Sequence, residues 1–264
     1  MRLLLICCII AGSLLLPSAG LADEQAEKAI ARSQGVVGQQ VPDFSFNVAG
    51  GKSFRLRDYR GKPLLVSLVY TGCSDVCPAV VESLAAAKDV AEETFGAASF
   101  NMITIGFDTR NDTPERMRSF ARAHGAGGDN WQFAAISGAT VDEFAAAVGF
   151  DFVASAGGFE HPAQVTLLDG EGRVYAQIYG GTFQPPAVIE PLKSLIFGGA
   201  RPVFSLAGLG DRIKLFCTVY DPRTGRYYFD YTLILSIIIG ATVLAGMLYF
   251  LIREVRKTMR ASRV

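Results

Sequence analysis

Histidine is the scarcest reactive residue in this chain of 264, with two copies, and tryptophan occurs once. Neither sign of charge is in excess, because 25 lysines and arginines face 25 acids. No basic face is present, and this sets nucleic-acid binding aside. Internal repeats and low-complexity tracts are also absent. No cysteine follows the small residues near Ala19 to Ala22, so a lipoprotein signal has no residue to carry its lipid. What the chain does have is hydrophobic residues, at 50% of the total, concentrated at its two ends.

The N-terminus has the pattern of a secretory signal. Arg2 supplies a positive start, Leu3 to Leu16 is apolar apart from Gly12 and Ser13, and Pro17 breaks the run. Gly20-Leu21-Ala22 offers small residues for cleavage, which predicts a signal peptide over 1–22. The alternative is an uncleaved anchor, although a membrane span needs about 20 residues. Cys7 and Cys8 fall in this run as apolar filler. At the other end, Tyr231 to Ile252 carries no charge. It predicts a transmembrane helix over 231–252, with a basic cytoplasmic tail at 253–264. The tail holds Arg253, Arg256, Lys257, Arg260 and Arg263 against Glu254 alone. Both ends give one topology, with the central domain outside the membrane.

Residues 23–37 are expected to be a linker, 38–198 a globular domain, and 199–230 a juxtamembrane segment. Leu64 to Tyr70 and Ser99 to Phe107 are continuous apolar runs of strand length, as buried central strands require. Pro78 to Phe95 has helical spacing. Asp112 is expected to cap a second helix, with Glu115 completing a capping box. Trp131 to Ala135, Gln164 to Leu168 and Val174 to Tyr179 read as strands, and Pro186 to Phe197 as the last helix. This alternation predicts an α/β domain with a mixed sheet covered on both faces.

Reactive residues gather in two places. Cys73 and Cys77 lie four positions apart between a strand and a helix. A helix starting near Cys73 would put both sulfurs on one face. Its electropositive end would favour thiolates, which metal binding and disulfide exchange both need. A plain structural disulfide is the alternative, but closing so short a loop removes little chain entropy. The second place is His161, in a glycine-rich loop before the strand at Gln164. Two thiolates and an imidazole are soft enough for Cu(I), and they also accommodate Cu(II). A closed structural zinc site would need a fourth ligand. His124, at a helix end, receives no ligand role. Asp108 is expected to approach the dithiol and tune its acidity. Cys217 stands outside the domain without an evident partner. It is either an inert thiol or a participant in copper hand-over or an intermolecular disulfide.

The run Tyr70-Thr71-Gly72-Cys73-Ser74-Asp75-Val76-Cys77-Pro78 resembles the signature of the Sco (SenC) family of copper chaperones. So do Asp108 with Asp112-Thr113-Pro114, and His161 before a strand ending in Leu168-Asp169 and Gly172. The resemblance covers residues 38–198. It implies a thioredoxin-like three-layer fold with a mixed central sheet, and ligation of Cu(I) or Cu(II) by Cys73, Cys77 and His161. It further implies copper delivery to the copper-bearing subunit of cytochrome c oxidase, with a periplasmic copper donor. The alternative is reduction of that subunit's cysteines by the redox dithiol Cys73/Cys77. The expected location is a bacterial inner membrane, with a single C-terminal span and the globular domain in the periplasm. Three features depart from the family pattern. Ser74 stands where proline is common, and Gly158-Phe159-Glu160 stand where a tyrosine and an acid are common. The span is C-terminal, as in a subset of bacterial Sco-like proteins that share the segment from Phe216-Cys217 to Tyr227.

Overall fold

A computed structural model describes residues 19–155, 157–198, 218–221 and 226–261. The chain divides into two compact units, Met1–Ile196 and Phe197–Val264.

In the first unit the strands are β1 (Ser45–Val48), β2 (Lys52–Arg55), β3 (Leu64–Val69), β4 (Asn101–Gly106) and β5 (Trp131–Ile136). They continue with β6 (Val153–Ser155), β7 (Gly158–Glu160), β8 (Gln164–Leu168) and β9 (Val174–Tyr179). The helices are α1 (Ala19–Gly35), α2 (Val76–Phe95), α3 (Pro114–Ala123), α4 (Val141–Ala147) and α5 (Pro186–Gly198). Seven strands form one sheet in the order β2-β1-β5-β4-β3-β8-β9. β3 pairs in parallel with β4, β4 in parallel with β5, and β3 antiparallel with β8. The sheet is therefore mixed, as the sequence predicts.

All six residues of β3 are buried. Leu64, Val66 and Leu68 join a core with Ile103, Ile105 and Phe144. Leu65 and Val69, which point the other way, are equally hidden. Both faces of the central strand are thus covered, and a continuous apolar run satisfies that requirement. The buried polar exception pairs internally. Ser67 and Thr104 hydroxyls lie 2.8 Å apart, and Trp131 Nε1 donates to Thr104 at 2.9 Å.

This topology brings three connections to one end of the sheet. β3 and β4 are parallel, so the loops after Val69 and Gly106 leave from the same edge. β8 runs against β3, with Ser67 opposite Val165, so the chain before Gln164 enters from that edge too. The two cysteines and His161 all belong to these connections.

The structure differs from the sequence expectations in several places. Residues 23–37, read as a linker, are helical through Gly35, and α1 docks on the domain. Ala29 and Ser33 are buried. Ser33 Oγ donates to Gln164 Oε1 at 2.8 Å, and Arg32 pairs with Asp151 at 2.6 Å. The docking face is made of small residues, which give little hydrophobic periodicity. α2 begins at Val76, so Cys73 lies in the turn before the helix and not in its first turn. Thr113, and not Asp112, caps α3, with its side chain accepting from Arg116 N–H at 3.2 Å. A small hairpin, β6 with β7, precedes His161 and was not foreseen.

The second unit contains an antiparallel pair, β10 (Thr218–Asp221) and β11 (Arg226–Phe229), and the helix α6 (Thr232–Ala261). Asp230 Oδ1 accepts the Thr232 N–H at 2.8 Å and so starts the helix. Within α6, Leu235–Arg253 has a mean hydropathy of 2.3. It is the one helix among the described residues that is long and apolar enough to cross a membrane. Ile237, Ile238, Leu244, Met247 and Phe250 on this helix are exposed. The predicted signal residues 1–18, Cys217 and most of the juxtamembrane segment lie outside the described residues.

Candidate metal centre

The dithiol loop is held before it reaches the cysteines. Cys73 N–H donates to the Tyr70 carbonyl at 3.1 Å, closing a turn at the end of β3. Thr71 is fixed from the side: its N–H and its hydroxyl both donate to Asp112 Oδ1, at 2.8 and 2.7 Å. Asp112 Oδ2 accepts the Asp108 N–H at 2.9 Å. Cys73 is half-buried, and Cys77, the second residue of α2, is buried at 1% exposure. Pro78 follows in the first turn, where its missing N–H costs little.

The two sulfurs differ in character. Cys77 N–H donates to Cys73 Sγ at 3.4 Å, as a helix N-terminus can. Burial raises the Cys73 thiol, but the Cys77 and Asp75 N–H groups, the Cys77 thiol and the Tyr70 hydroxyl outweigh it, and Cys73 is lowered. Burial pushes the Cys77 thiol up, and the Cys73 sulfur and Asp112 carboxylate add to the rise. The acid facing the dithiol is therefore Asp112. Asp108, given that role from the sequence, turns its carboxylate to Asn111 Nδ2 at 2.7 Å.

His161 follows the hairpin and points back at the cysteines. Its Nδ1 lies 3.0 Å from the Pro162 carbonyl, which can only accept, so Nδ1 carries the proton. That leaves the Nε2 lone pair as an acceptor, facing the Cys77 thiol at 3.9 Å. Fixing one ring nitrogen in order to aim the other is how imidazole is prepared for a metal. Burial also lowers the His161 pKa, with the Pro162 bond opposing, so the ring stays neutral and able to donate.

An aromatic shell surrounds the ring. Tyr70, Phe107 and Phe150 stand with ring centroids 6.0, 5.5 and 5.3 Å from that of His161. Phe159 on β7 packs on both Tyr70 and Phe107. Tyr70 thus touches both halves of the site, with its hydroxyl at Cys73 and its ring at His161. In the sequence pattern Tyr70 and Phe159 carry no role of their own, Phe107 only ends a strand, and Phe150 goes unmarked. The signal was there in Phe150-Asp151-Phe152, whose alternation puts two rings on one face.

Cys77 and His161 are brought together, and Cys73 stands against Cys77. Among the described residues, no three His, Cys, Asp or Glu side chains already form a metal-ready group. Cys73 and His161 have to close on one another for a three-donor set to form. The donors themselves, two sulfurs and an imidazole, fit copper. His124 sits elsewhere, with Nδ1 3.1 Å from Glu82 Oε1. Two surface hollows of about 510 and 490 Å³ include none of the three candidate ligands in their lining.

A seven-stranded mixed sheet with a dithiol at the end of a central parallel strand and the start of the following helix defines a thioredoxin-like protein, here with an imidazole facing the dithiol. Residues 33–196 match the SCO1/SenC family, and the chain belongs to that family. A SCO1 protein homolog from Bacillus subtilis (strain 168) is 27% identical over 118 residues, covering 41% of this chain and 60% of the relative. This chain thus matches less than two thirds of that relative's length. A crystal structure from Aquifex aeolicus VF5 is 27% identical with a TM-score of 0.56, covering 62% of this chain and 96% of that one. Copper-bound ScoI from Bradyrhizobium japonicum shares the fold at 21% identity and a TM-score of 0.50, over 59% of this chain and 99% of its own.

Proposed function

We propose that this protein is a membrane-anchored copper metallochaperone that serves assembly of the copper centre of cytochrome c oxidase, with Cys73, Cys77 and His161 holding the metal. The observation that carries the reading is the aimed imidazole: His161 Nε2 is unprotonated and faces Cys77 Sγ at 3.9 Å, while Nδ1 is tied to Pro162. Thiol exchange needs no such nitrogen, whereas copper coordination does. The copper-bound relative with the same fold supports the choice of metal. The apolar span of α6 and the basic residues in its last turns support an inner-membrane anchor with the domain in the periplasm. The acceptor is the copper-bearing oxidase subunit, and the donor a periplasmic copper protein.

A second reading, thiol–disulfide oxidoreductase, is favoured by the asymmetry of the two sulfurs. An accessible, more acidic Cys73 beside a buried Cys77 is the arrangement of an attacking and a resolving thiol. His161→Ala separates the two readings. In cells lacking the protein, the variant should fail to restore oxidase activity while its purified form still reduces a disulfide substrate. Full oxidase assembly with His161→Ala would overturn the chaperone reading.

A further inference from the structure

Asp112 is a carboxylate at 2% exposure, and it forms no ion pair with a lysine or arginine among the described residues. Burying such a group is costly unless hydrogen bonds replace water. Here three do, and every donor belongs to a loop at the site: the Thr71 N–H, the Thr71 hydroxyl and the Asp108 N–H. The seat depends on the sheet. A Cβ on Gly106, the last residue of β4, would lie 2.5 Å from Asp112 Cβ and 2.7 Å from Met117 Sδ. No side chain other than hydrogen fits there while Asp112 keeps its place. Thr71 in turn is two residues from Cys73, whose own N–H closes the turn on Tyr70. A chain of short contacts therefore runs from Gly106 through Asp112 and Thr71 to the first thiol. Capping is not its purpose, since Thr113 caps α3.

We propose that Asp112 is the positioning residue of the dithiol: it ties the β3–α2 loop to the β4–α3 loop and so fixes where Cys73 stands relative to Cys77 and His161. Gly106 is its required partner. The spectroscopic part of the test rests on the copper reading above, and the thiol part does not. Misplacing Cys73 lowers the effective concentration of one thiol at the other. In that equilibrium, glutathione disulfide oxidises the Cys73/Cys77 pair to a disulfide and is reduced to two glutathione thiols.

The test uses the full chain in detergent micelles with Cys7→Ser, Cys8→Ser and Cys217→Ser, so that other thiols do not compete. Wild type, Asp112→Ala, Asp112→Asn, Gly106→Ala and Thr71→Val are compared. Asp112→Ala removes all three hydrogen bonds and should lower the dithiol–disulfide equilibrium constant by more than about tenfold, the size of one charge-assisted hydrogen bond. It should also shift the Cu(II)–thiolate absorption band. Gly106→Ala should reproduce both effects, and Asp112→Asn, which keeps an acceptor for Thr71, should fall between. Thr71→Val removes only the hydroxyl bond and should give a smaller change in the same direction. It keeps the test open if Asp112→Ala fails to fold. Equilibrium constants and spectra equal to wild type in folded Asp112→Ala, or in Thr71→Val if that is the folded variant, would overturn the inference. A wild type that shows no Cu(II) band would instead overturn the copper reading, leaving the glutathione equilibrium to decide the role of Asp112.

Discussion

Cys73 and Cys77 are four positions apart in sequence yet occupy different surroundings. Cys73 lies in a turn, half-buried, with N–H groups directed at its sulfur; Cys77 lies under it in the first turn of α2. Those N–H donors stabilise a thiolate at Cys73, and desolvation opposes one at Cys77. The sign gives a pH prediction. Because the Cys73 pKa is lowered, its thiolate fraction persists below the ordinary thiol range, and because the Cys77 pKa is raised, that sulfur stays protonated across it. Of this pair, reduced, metal-free protein should therefore take up iodoacetamide at Cys73 alone at neutral pH. Cys77 should become labelled only after unfolding, as read by peptide mass. Equal labelling of both sulfurs in the folded state would contradict the asymmetry. His161 shows the same control by a neighbour, since one carbonyl decides which ring nitrogen can donate.

At the scale of elements, the site is held by contacts between segments that are far apart in sequence. The hairpin β6–β7 pairs with no strand of the main sheet. Its hold on the domain comes from Phe159 against Tyr70 and Phe107. Gly158 makes this approach possible. It has φ near +130°, and a Cβ there would lie 2.8 Å from the Tyr70 hydroxyl. Gly158→Ala should cost about 1–3 kcal/mol of stability from backbone strain alone. It should also loosen Tyr70, and with it the hydroxyl at Cys73. Chemical denaturation of the purified variant measures the first effect, and a Cys73 labelling rate that departs from wild type measures the second. A stability equal to wild type would contradict the packing described.

The central strands β3 and β4 and the helix α2 were legible in the sequence, because their apolar runs and spacing report burial directly. The two cysteines and His161 were legible as candidate ligands, because few residue types bind soft metals and the chain has few of them. What escaped was set by tertiary contact. α1 docks through small residues and a hydroxyl, Ser33 to Gln164, a pattern that looks like a polar linker when read locally. Asp112 followed by Thr113 and Pro114 satisfies the rule for a cap at either residue. Only the position of Thr71, 41 residues earlier, shows which of the two is spent on the dithiol loop.

At the scale of the whole molecule, two kinds of surface divide the chain. The domain buries its apolar residues in cores on both faces of one sheet. α6 leaves its apolar residues exposed over a length that matches a bilayer of about 30 Å. The apolar helix and the dithiol with its imidazole thus reside in separate units of the chain. The central claim concerns the first unit, and it is that Cys73, Cys77 and His161 hold one copper ion together. The most direct measurement is a titration of the reduced full chain, with Cys7→Ser, Cys8→Ser and Cys217→Ser, by Cu(I) and Cu(II) under competition with a chelator. The account predicts one copper per chain. It predicts that Cys73→Ser with Cys77→Ser abolishes binding, and that His161→Ala weakens it by at least about tenfold, a loss of about 1.4 kcal/mol. Undiminished copper binding without the two sulfurs, or no copper binding by the protein that keeps them, would contradict it.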